Sequence, residues 1–527
     1  MIRITFVALT LVAGMVAAVA AVGSSPWWSV AAVPLGLLGL VGGADLLQRR
    51  HSVLRNYPVL GHARFLLERI RPELQQYFIE RNFDGRPFDR DIRTLVYERA
   101  KGTDAEQPYG TERDVYQPGY EFLVPSMAPC PVPKTPPRVR VGGPDCKHPY
   151  DMALLNVSAM SFGSLSANAV LALNGGAAAG KFAQDTGEGG LSEYHLRPGG
   201  DLIWEIGTGY FGCRTGDGDF DPAEFADKAA HDHVKCVSLK LSQGAKPGIG
   251  GVLPGAKVNA EIAKVRDVPE GQTVISPPYH RTFSTPRELV RFIARMRELS
   301  GGKPTGFKLC VGSRRQFLAV CKAMLAEGTA PDFIVVDGGE GGTGAAPLEF
   351  ADHVGAPLTE GLLTVHNALV GAGLRDRIKV GASGKIATGT DLVKRLIQGA
   401  DYGNAARAMM FAVGCIQAQR CHTNTCPTGV TTQDPRRARA LDIRDKTPRV
   451  QRFQEATVAS ALEIMASMGV TDPADLRPHM LRRRIAPHTE RSYADLHEWL
   501  EPGQLLAEPP RSWAADWKAA DPDRFTS

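Results

Sequence analysis

The sequence predicts an α/β fold: a (β/α)8 TIM barrel, preceded by a transmembrane helical hairpin and flanked by helical regions. Three observations point there. Between about 151 and 430, eight short apolar runs rich in β-branched residues each end in small or polar residues and lead into a helical pattern. No GxGxxG turn follows the first of them, which disfavours a doubly wound sheet. The first 50 residues hold two apolar stretches separated by Gly23-Ser24-Ser25-Pro26. At 527 residues the chain has length for a barrel-sized core with appendages. Its 61 basic and 56 acidic residues are evenly mixed, a net charge of +5 that argues against a nucleic-acid partner.

Residues 1–50 read as the hairpin. Ile4 to Val22 carries no charge, and Trp27 to Leu47 carries only Asp45. Arg3 precedes the pair, Arg49, Arg50 and Arg55 follow it, and the connecting loop has no basic residue, so a two-pass span in the cell membrane with the remainder in the cytoplasm is expected. A cleaved signal peptide is the alternative, because Ala17 to Ala21 supplies small residues for a peptidase. Residues 51–150 read as a helical collar, with apolar positions at helical spacing over 59–80, and a linker in which 125–140 holds six prolines. The barrel is placed at 151–433, with strands at Leu154 to Ala159, Lys181 to Asp185, Leu202 to Gly207, Cys236 to Leu241, Gly306 to Cys310, Phe333 to Asp337, Ile378 to Gly381 and Tyr402 to Ala405. Residues 434–527 read as helices over the barrel's flank, with Arg482-Arg483-Arg484 at a solvated helix end.

Barrel chemistry sits at the C-terminal ends of strands. There the sequence places glycine-rich turns, including Gly341, Gly342 and Gly344 after the sixth strand, Gly384 and Lys385 after the seventh, and Gly403 and Asn404 at the eighth. Glycine lets backbone N–H groups approach an anion closely, so a phosphate-bearing cofactor is expected at this mouth. Six of the nine cysteines stand apart, which suits a reducing compartment, and Cys236, Cys310 and Cys321 read as core residues. The other three, Cys415, Cys421 and Cys426, share one loop at C-x5-C-x4-C spacing. Three thiolates can hold an iron–sulfur cluster, a zinc ion with His422 as fourth ligand, or nothing beyond a place in the core.

The runs SAMSFGSLS, DTGEGG, LKLSQGAKPGIGGVLPGAKV, ISPP, FKLC, VVDGGEGGTGA and CIQAQRCHTNTCPTGVTTQ resemble, in order, the FMN and iron–sulfur synthase domain of glutamate synthase, over about 151–433. With a hydrophobic hairpin in front, the chain is similar to the stand-alone FMN-binding glutamate synthase family proteins. That resemblance implies FMN and a 3Fe–4S cluster on Cys415, Cys421 and Cys426. It implies a flavin bordered by Met160 and Gln243, with a cation at the ring; Lys308 is the candidate and Lys240 its rival, since a lysine inside an apolar strand is costly to bury unpaired. It implies reductive amination of 2-oxoglutarate or a related 2-oxo acid through an imine, with Lys246 and Arg266 on the carboxylates and Glu188 polarising the reacting carbon.

Where the family usually reads AKPGEGGQ, this chain has Ile249 and Val252, so a less polar substrate pocket is expected, with Val252 facing the substrate. Met1 leads into an apolar segment rather than an N-terminal cysteine nucleophile, and no dinucleotide fingerprint is present. A separate ammonia-supplying subunit and a separate electron donor (ferredoxin, a reductase subunit or the quinone pool) are therefore expected. A membrane-associated dehydrogenase passing electrons from an amino or hydroxy acid to quinone is the second reading, and a non-catalytic redox-sensing module the third.

Overall fold

A computed structural model describes residues 2–103 and 105–525; Met1 and the side chain of Arg3 lie outside what is described. The chain divides into two compact units, one ending at Arg90 and one starting at Asp91. The stretch read as collar and linker is thus shared between them.

In the first unit, α1 (Ile2–Gly23) and α2 (Ser29–Leu47) form a helical hairpin. Their contact is built on glycine: a Cβ at Gly39 would lie 2.4 Å from Leu11, and one at Gly42 would lie 2.7 Å from Val7. Close glycine-mediated approach leaves the larger apolar side chains, Leu9, Val12, Val16, Val19, Leu37 and Leu40, on the outside. Asp45 is buried at the end of α2, where its carboxylate accepts from the Val59 N–H at 2.9 Å and from His62 Nε2 at 2.9 Å. Among the described residues one helical stretch, Pro26–Leu47, is long and apolar enough to cross a membrane, and Val7–Gly23 forms a shorter apolar helix.

The second unit is built on a closed, parallel eight-stranded barrel. Its strands are β1 (Leu155–Val157), β2 (Gln184–Asp185), β3 (Leu202–Ile206), β4 (Val234–Lys240), β5 (Thr305–Leu309), β6 (Phe333–Asp337), β7 (Lys379–Ser383) and β8 (Tyr402–Ala405). All eight expected strands are present. Side chains alternate between the interior and the helical layer. Ile203 and Glu205 point inward, while Trp204 points outward and stacks on Phe225 at 5.2 Å between centroids. The floor is apolar: Ala183, Ile203, Cys236, Phe333, Val335 and Tyr402 pack with Val141 and Met152. Those last two arrive on an antiparallel pair, Arg138–Val141 with Tyr150–Ala153, so the end of the proline-rich stretch closes the barrel from below.

Outside the barrel, α3 (Ala167–Gly180) packs against the long helix Ile443–Ser467, whose Gln454 donates to the Leu155 carbonyl at 3.0 Å. The C-terminal region is not wholly helical. Leu481–Ala486 and Thr489–Ser492 form a hairpin that joins Glu121–Leu123 in a three-stranded sheet. Arg482, Arg483 and Arg484 therefore lie on a strand, with Arg482 bonded to Glu490 at 2.9 Å and Arg484 to the Val115 carbonyl at 3.0 Å, and not at a solvated helix end. Pairing with residues more than three hundred positions upstream decides this.

Candidate active site

Above the apolar floor the barrel interior becomes charged. Lys308 on β5 and Lys240 on β4 are direct register partners, so both lysines point inward at the same height. They meet different carboxylates. Lys308 donates to Glu205 of β3 in a fully buried ion pair, with Asp185 of β2 beside them. Burial first, then the negative charge of Glu205, push the Asp185 carboxyl well above the usual carboxylate range, while Lys308 pulls it back. The Asp185 carboxylate accepts from the Gly187 N–H at 2.9 Å, which shapes the turn that carries Glu188.

Lys240 serves the mouth. Its Nζ lies 2.8 Å from Glu188 Oε1 and donates to Gln243 Oε1 at 2.7 Å. The Glu188 side chain is 15% exposed. Burial alone would raise its pKa, but Lys240, then Arg266 and Lys246, hold it down at about 2. Space for this carboxylate exists because two neighbours lack side chains: a Cβ at Gly207 would lie 2.7 Å from Glu188, and one at Gly251 would lie 2.3 Å from its Oε1. Lys246 donates to the Ala345 carbonyl at 2.9 Å, joining the loop after β4 to the loop after β6. In the same place the Gly244 N–H donates to Asp337 at 2.8 Å.

Arg266 ends the helix Ala260–Arg266 and is buried. Its Nη2 donates to the Phe162 carbonyl at 3.0 Å and its guanidinium lies 5.1 Å from the Phe211 ring. Burial lowers its pKa to about 10, with Glu188 opposing. Among the described residues its buried Nε has no partner. An orphaned guanidinium N–H is costly to keep and suits an anionic acceptor.

The expected cofactor residues divide. Met160 lies at the end of β1, where its backbone backs onto Gly187. Gly341 and Gly342 line the loop over Asp337 and Arg407, and Gly344 faces Ser164 across the mouth. Asn404 points into the barrel, buried, with Oδ1 unpartnered among the described residues. Gly403 is a correction. Strand alternation turns it outward, toward Leu392 and Ile386, and its N–H is spent on the Leu154 carbonyl at 2.8 Å. After β7, the first turn of the helix Gly389–Ile397 is closed by its own Thr388 and Asp391 capping box, and before it stands the Ser383-Gly384-Lys385 turn, in which Lys385 has φ +50°. Val252 is the second correction. It pairs with Ile275 in a short antiparallel ladder that turns Gly251 toward Glu188 and leaves Val252 40% exposed on the other side.

Cys415 lies near enough to Cys421 and Cys426 to feel their charge, and Cys421 near enough to Cys426. The Gln417 N–H donates to Cys415 Sγ at 3.4 Å, and Thr428 Oγ1 lies 3.5 Å from Cys426 Sγ. Burial would raise the Cys426 thiol, but hydrogen bonds from the neighbouring threonines hold it down at about 7. Among the described residues no three His, Cys, Asp or Glu side chains converge on one metal ion. A single zinc ion would need ligands within about 2.3 Å. In a three-iron cluster each thiolate takes a different iron, and three thiols are a donor set of that kind.

Sequence reading missed Glu205, Asp185 and His280 as members of this site. Glu205 offered the same signal as Lys308, a charge inside the apolar strand LIWEI. His280, buried with Nε2 2.9 Å from the Lys240 carbonyl and Nδ1 3.1 Å from Tyr210 Oη, sits in a loop with no local pattern.

Residues 148–471 match the family model described as a conserved region in glutamate synthase. The glutamate synthase large subunit-like protein YerD of Bacillus subtilis (strain 168) is 37% identical over 497 residues, covering 86% of this chain and 94% of that protein. An archaeal glutamate synthase (NADPH) of Methanocaldococcus jannaschii is 33% identical over 329 residues, 62% of this chain and 61% of its own length. A ferredoxin-dependent glutamate synthase of Antithamnion sp. is 35% identical over 241 residues, 45% of this chain and 15% of its own length.

Proposed function

The chain belongs to the glutamate synthase family, and from that premise we propose that it is an oxidoreductase of glutamate-synthase type that reductively aminates 2-oxoglutarate, or a related 2-oxo acid, at the barrel mouth. The observation that carries this reading is the buried group of Lys240, Lys246 and Arg266 around Glu188. Three cations against one carboxylate leave a surplus of two positive charges, the complement of a dicarboxylate.

Ammonia adds to the 2-oxo carbon and water leaves, giving the imine. Arg266, through the Nε that has no partner among the described residues, and Lys246 bind the two carboxylates. Glu188, kept ionised by Lys240, accepts from an N–H of the protonated imine and so stabilises the iminium, whose carbon takes hydride to give the neutral amine. Hydrogen bonds from Lys246 and Gly244 join the loops after β4 and β6 across the mouth. FMN, when bound, supplies the hydride to that carbon. Met160, Gln243, Lys240 and Lys308 would hold its ring side, and Gly341, Gly342, Gly344, Gly384, Lys385 and Asn404 the remainder. A 3Fe–4S cluster on Cys415, Cys421 and Cys426 would supply electrons singly. Those electrons come from a separate donor, and ammonia comes from solution or a partner.

We read the glycine-lined hairpin, with its apolar side chains outward, as a membrane element that crosses twice and leaves the barrel in the cytoplasm. A second reading, electron transfer from an amino or hydroxy acid to quinone, is favoured by a cavity of about 390 Å³ outside the barrel wall, lined by Phe307, Leu309, Leu289, Phe317 and Val320.

The deciding experiment is anaerobic purification in detergent, photoreduction, and a test of what reoxidises the flavin. Reoxidation by 2-oxoglutarate with ammonium supports the synthase. Reoxidation by a quinone alone replaces it with the second reading, and reoxidation by neither leaves a redox sensor. Cys421→Ser should lose iron while flavin absorbance persists; equal iron in variant and parent would refute the cluster.

A further inference from the structure

Lys257 has no assigned role and an unusual setting. It stands in the turn Gly255–Lys257, is 2% exposed, and among the described residues has no carboxylate partner. Its ammonium donates to two carbonyls, Ser164 at 3.1 Å and Thr431 at 2.8 Å. A buried ammonium held by neutral acceptors alone is costly, so a negative group nearby is the natural reason to retain it. Burial lowers its pKa to about 8, and the charges that oppose this are those of Cys421 and Cys426.

The two carbonyls belong to two different parts of the site. Ser164 lies in the Ser161–Leu165 segment after β1, and Thr431 follows the cysteine loop. Every carbonyl from 162 to 165 is taken by a group of the site: Phe162 by Arg266 at 3.0 Å, Gly163 by Gln433 at 3.1 Å, Ser164 by Lys257, and Leu165 by Gln433 at 2.7 Å. The Gln433 N–H and the Thr432 hydroxyl in turn hold Asn424, between Cys421 and Cys426, at 2.7 Å each. One strip of backbone thus joins the cysteine loop to the substrate clamp.

We propose that Lys257 is a positioning residue that sets the reduction potential of the cluster on Cys415, Cys421 and Cys426, its fixed positive charge stabilising the one electron the cluster accepts. This rests on the reading that those cysteines hold a 3Fe–4S cluster. The electron comes from a one-electron reductant, and no bond to Lys257 forms or breaks. The two carbonyl bonds hold the charge beside the cysteine loop and tie that loop to the strip that also carries Arg266.

The test is an anaerobic redox titration of the full chain against mediator dyes, following the paramagnetic signal of the oxidised cluster. K257Q keeps donors for the carbonyls and removes the charge. It should lower the equilibrium constant for cluster reduction at least tenfold, about 59 mV for a one-electron couple. K257R should stay within about threefold of the parent. K257M removes the same charge on an unbranched stem should K257Q not fold. Neutral variants that keep full iron and titrate with the parent overturn the proposal, as does K257R shifting as far as K257Q, which would assign the effect to packing. A parent chain that binds no iron overturns the cluster reading itself, an outcome distinct from an unmoved potential in an iron-loaded variant.

Discussion

Glu188→Gln removes the one negative charge among Lys240, Lys246 and Arg266 while keeping the side chain's shape. In the folded protein the carboxyl sits at about 2, well below the usual carboxylate range, because Lys240 at 2.8 Å, with Arg266 and Lys246, outweighs the burial that would raise it. A group depressed on folding adds stability above its unfolded value and loses it as pH falls toward the folded one. The drop corresponds to about 3 kcal/mol at neutral pH. Urea unfolding of parent and variant, followed by tryptophan fluorescence from about pH 8 to about pH 4, reads it. The variant should be less stable by about 3 kcal/mol at pH 7, with the gap starting to narrow below the unfolded carboxylate range. Added 2-oxoglutarate should stabilise the variant more than the parent, because its dianion replaces the lost charge among three cations. A gap under about 1 kcal/mol at pH 7, or one that widens as pH falls, would show that the four charges do not act as a unit.

Lys308→Met leaves Glu205 and Asp185 without their cation inside the barrel and should cost about 3–5 kcal/mol in the same assay. The double variant Lys308→Met with Glu205→Gln should recover at least about 2 kcal/mol of that, and no recovery would refute the pairing. Arg266→Lys should weaken 2-oxoglutarate binding nearly as much as Arg266→Ala, about 1.5–3 kcal/mol by titration of the flavin spectrum, since a point charge does not replace a fork of donors. Parent affinity in the lysine variant would remove Arg266 from the clamp.

The eight barrel strands were legible because each is a short local pattern: an apolar run of strand length, closed by small residues and followed by helical spacing. Lys308 and the three cysteines stood out in the sequence for a similar reason, since a charge inside an apolar strand and thiols crowded in one loop are anomalies visible without a partner. Glu205 carried the same anomaly in LIWEI, yet its meaning depends on a lysine 103 residues away, and only barrel closure brings the two together. Lys257 depends on acceptors 93 and 174 residues distant. Val252 and Gly403 were misplaced because alternation says which residues share a face and not which face looks into the site. For Val252 the ladder with Ile275 decides that, and for Gly403 the position of β8 between β7 and β1 does. Arg482, Arg483 and Arg484 became a strand through pairing with Glu121–Leu123, against a local composition that suits a helix end equally well. Period and anomaly belong to neighbours along the chain. The side a residue faces, and the charge it meets there, belong to residues that only closure of the barrel makes neighbours.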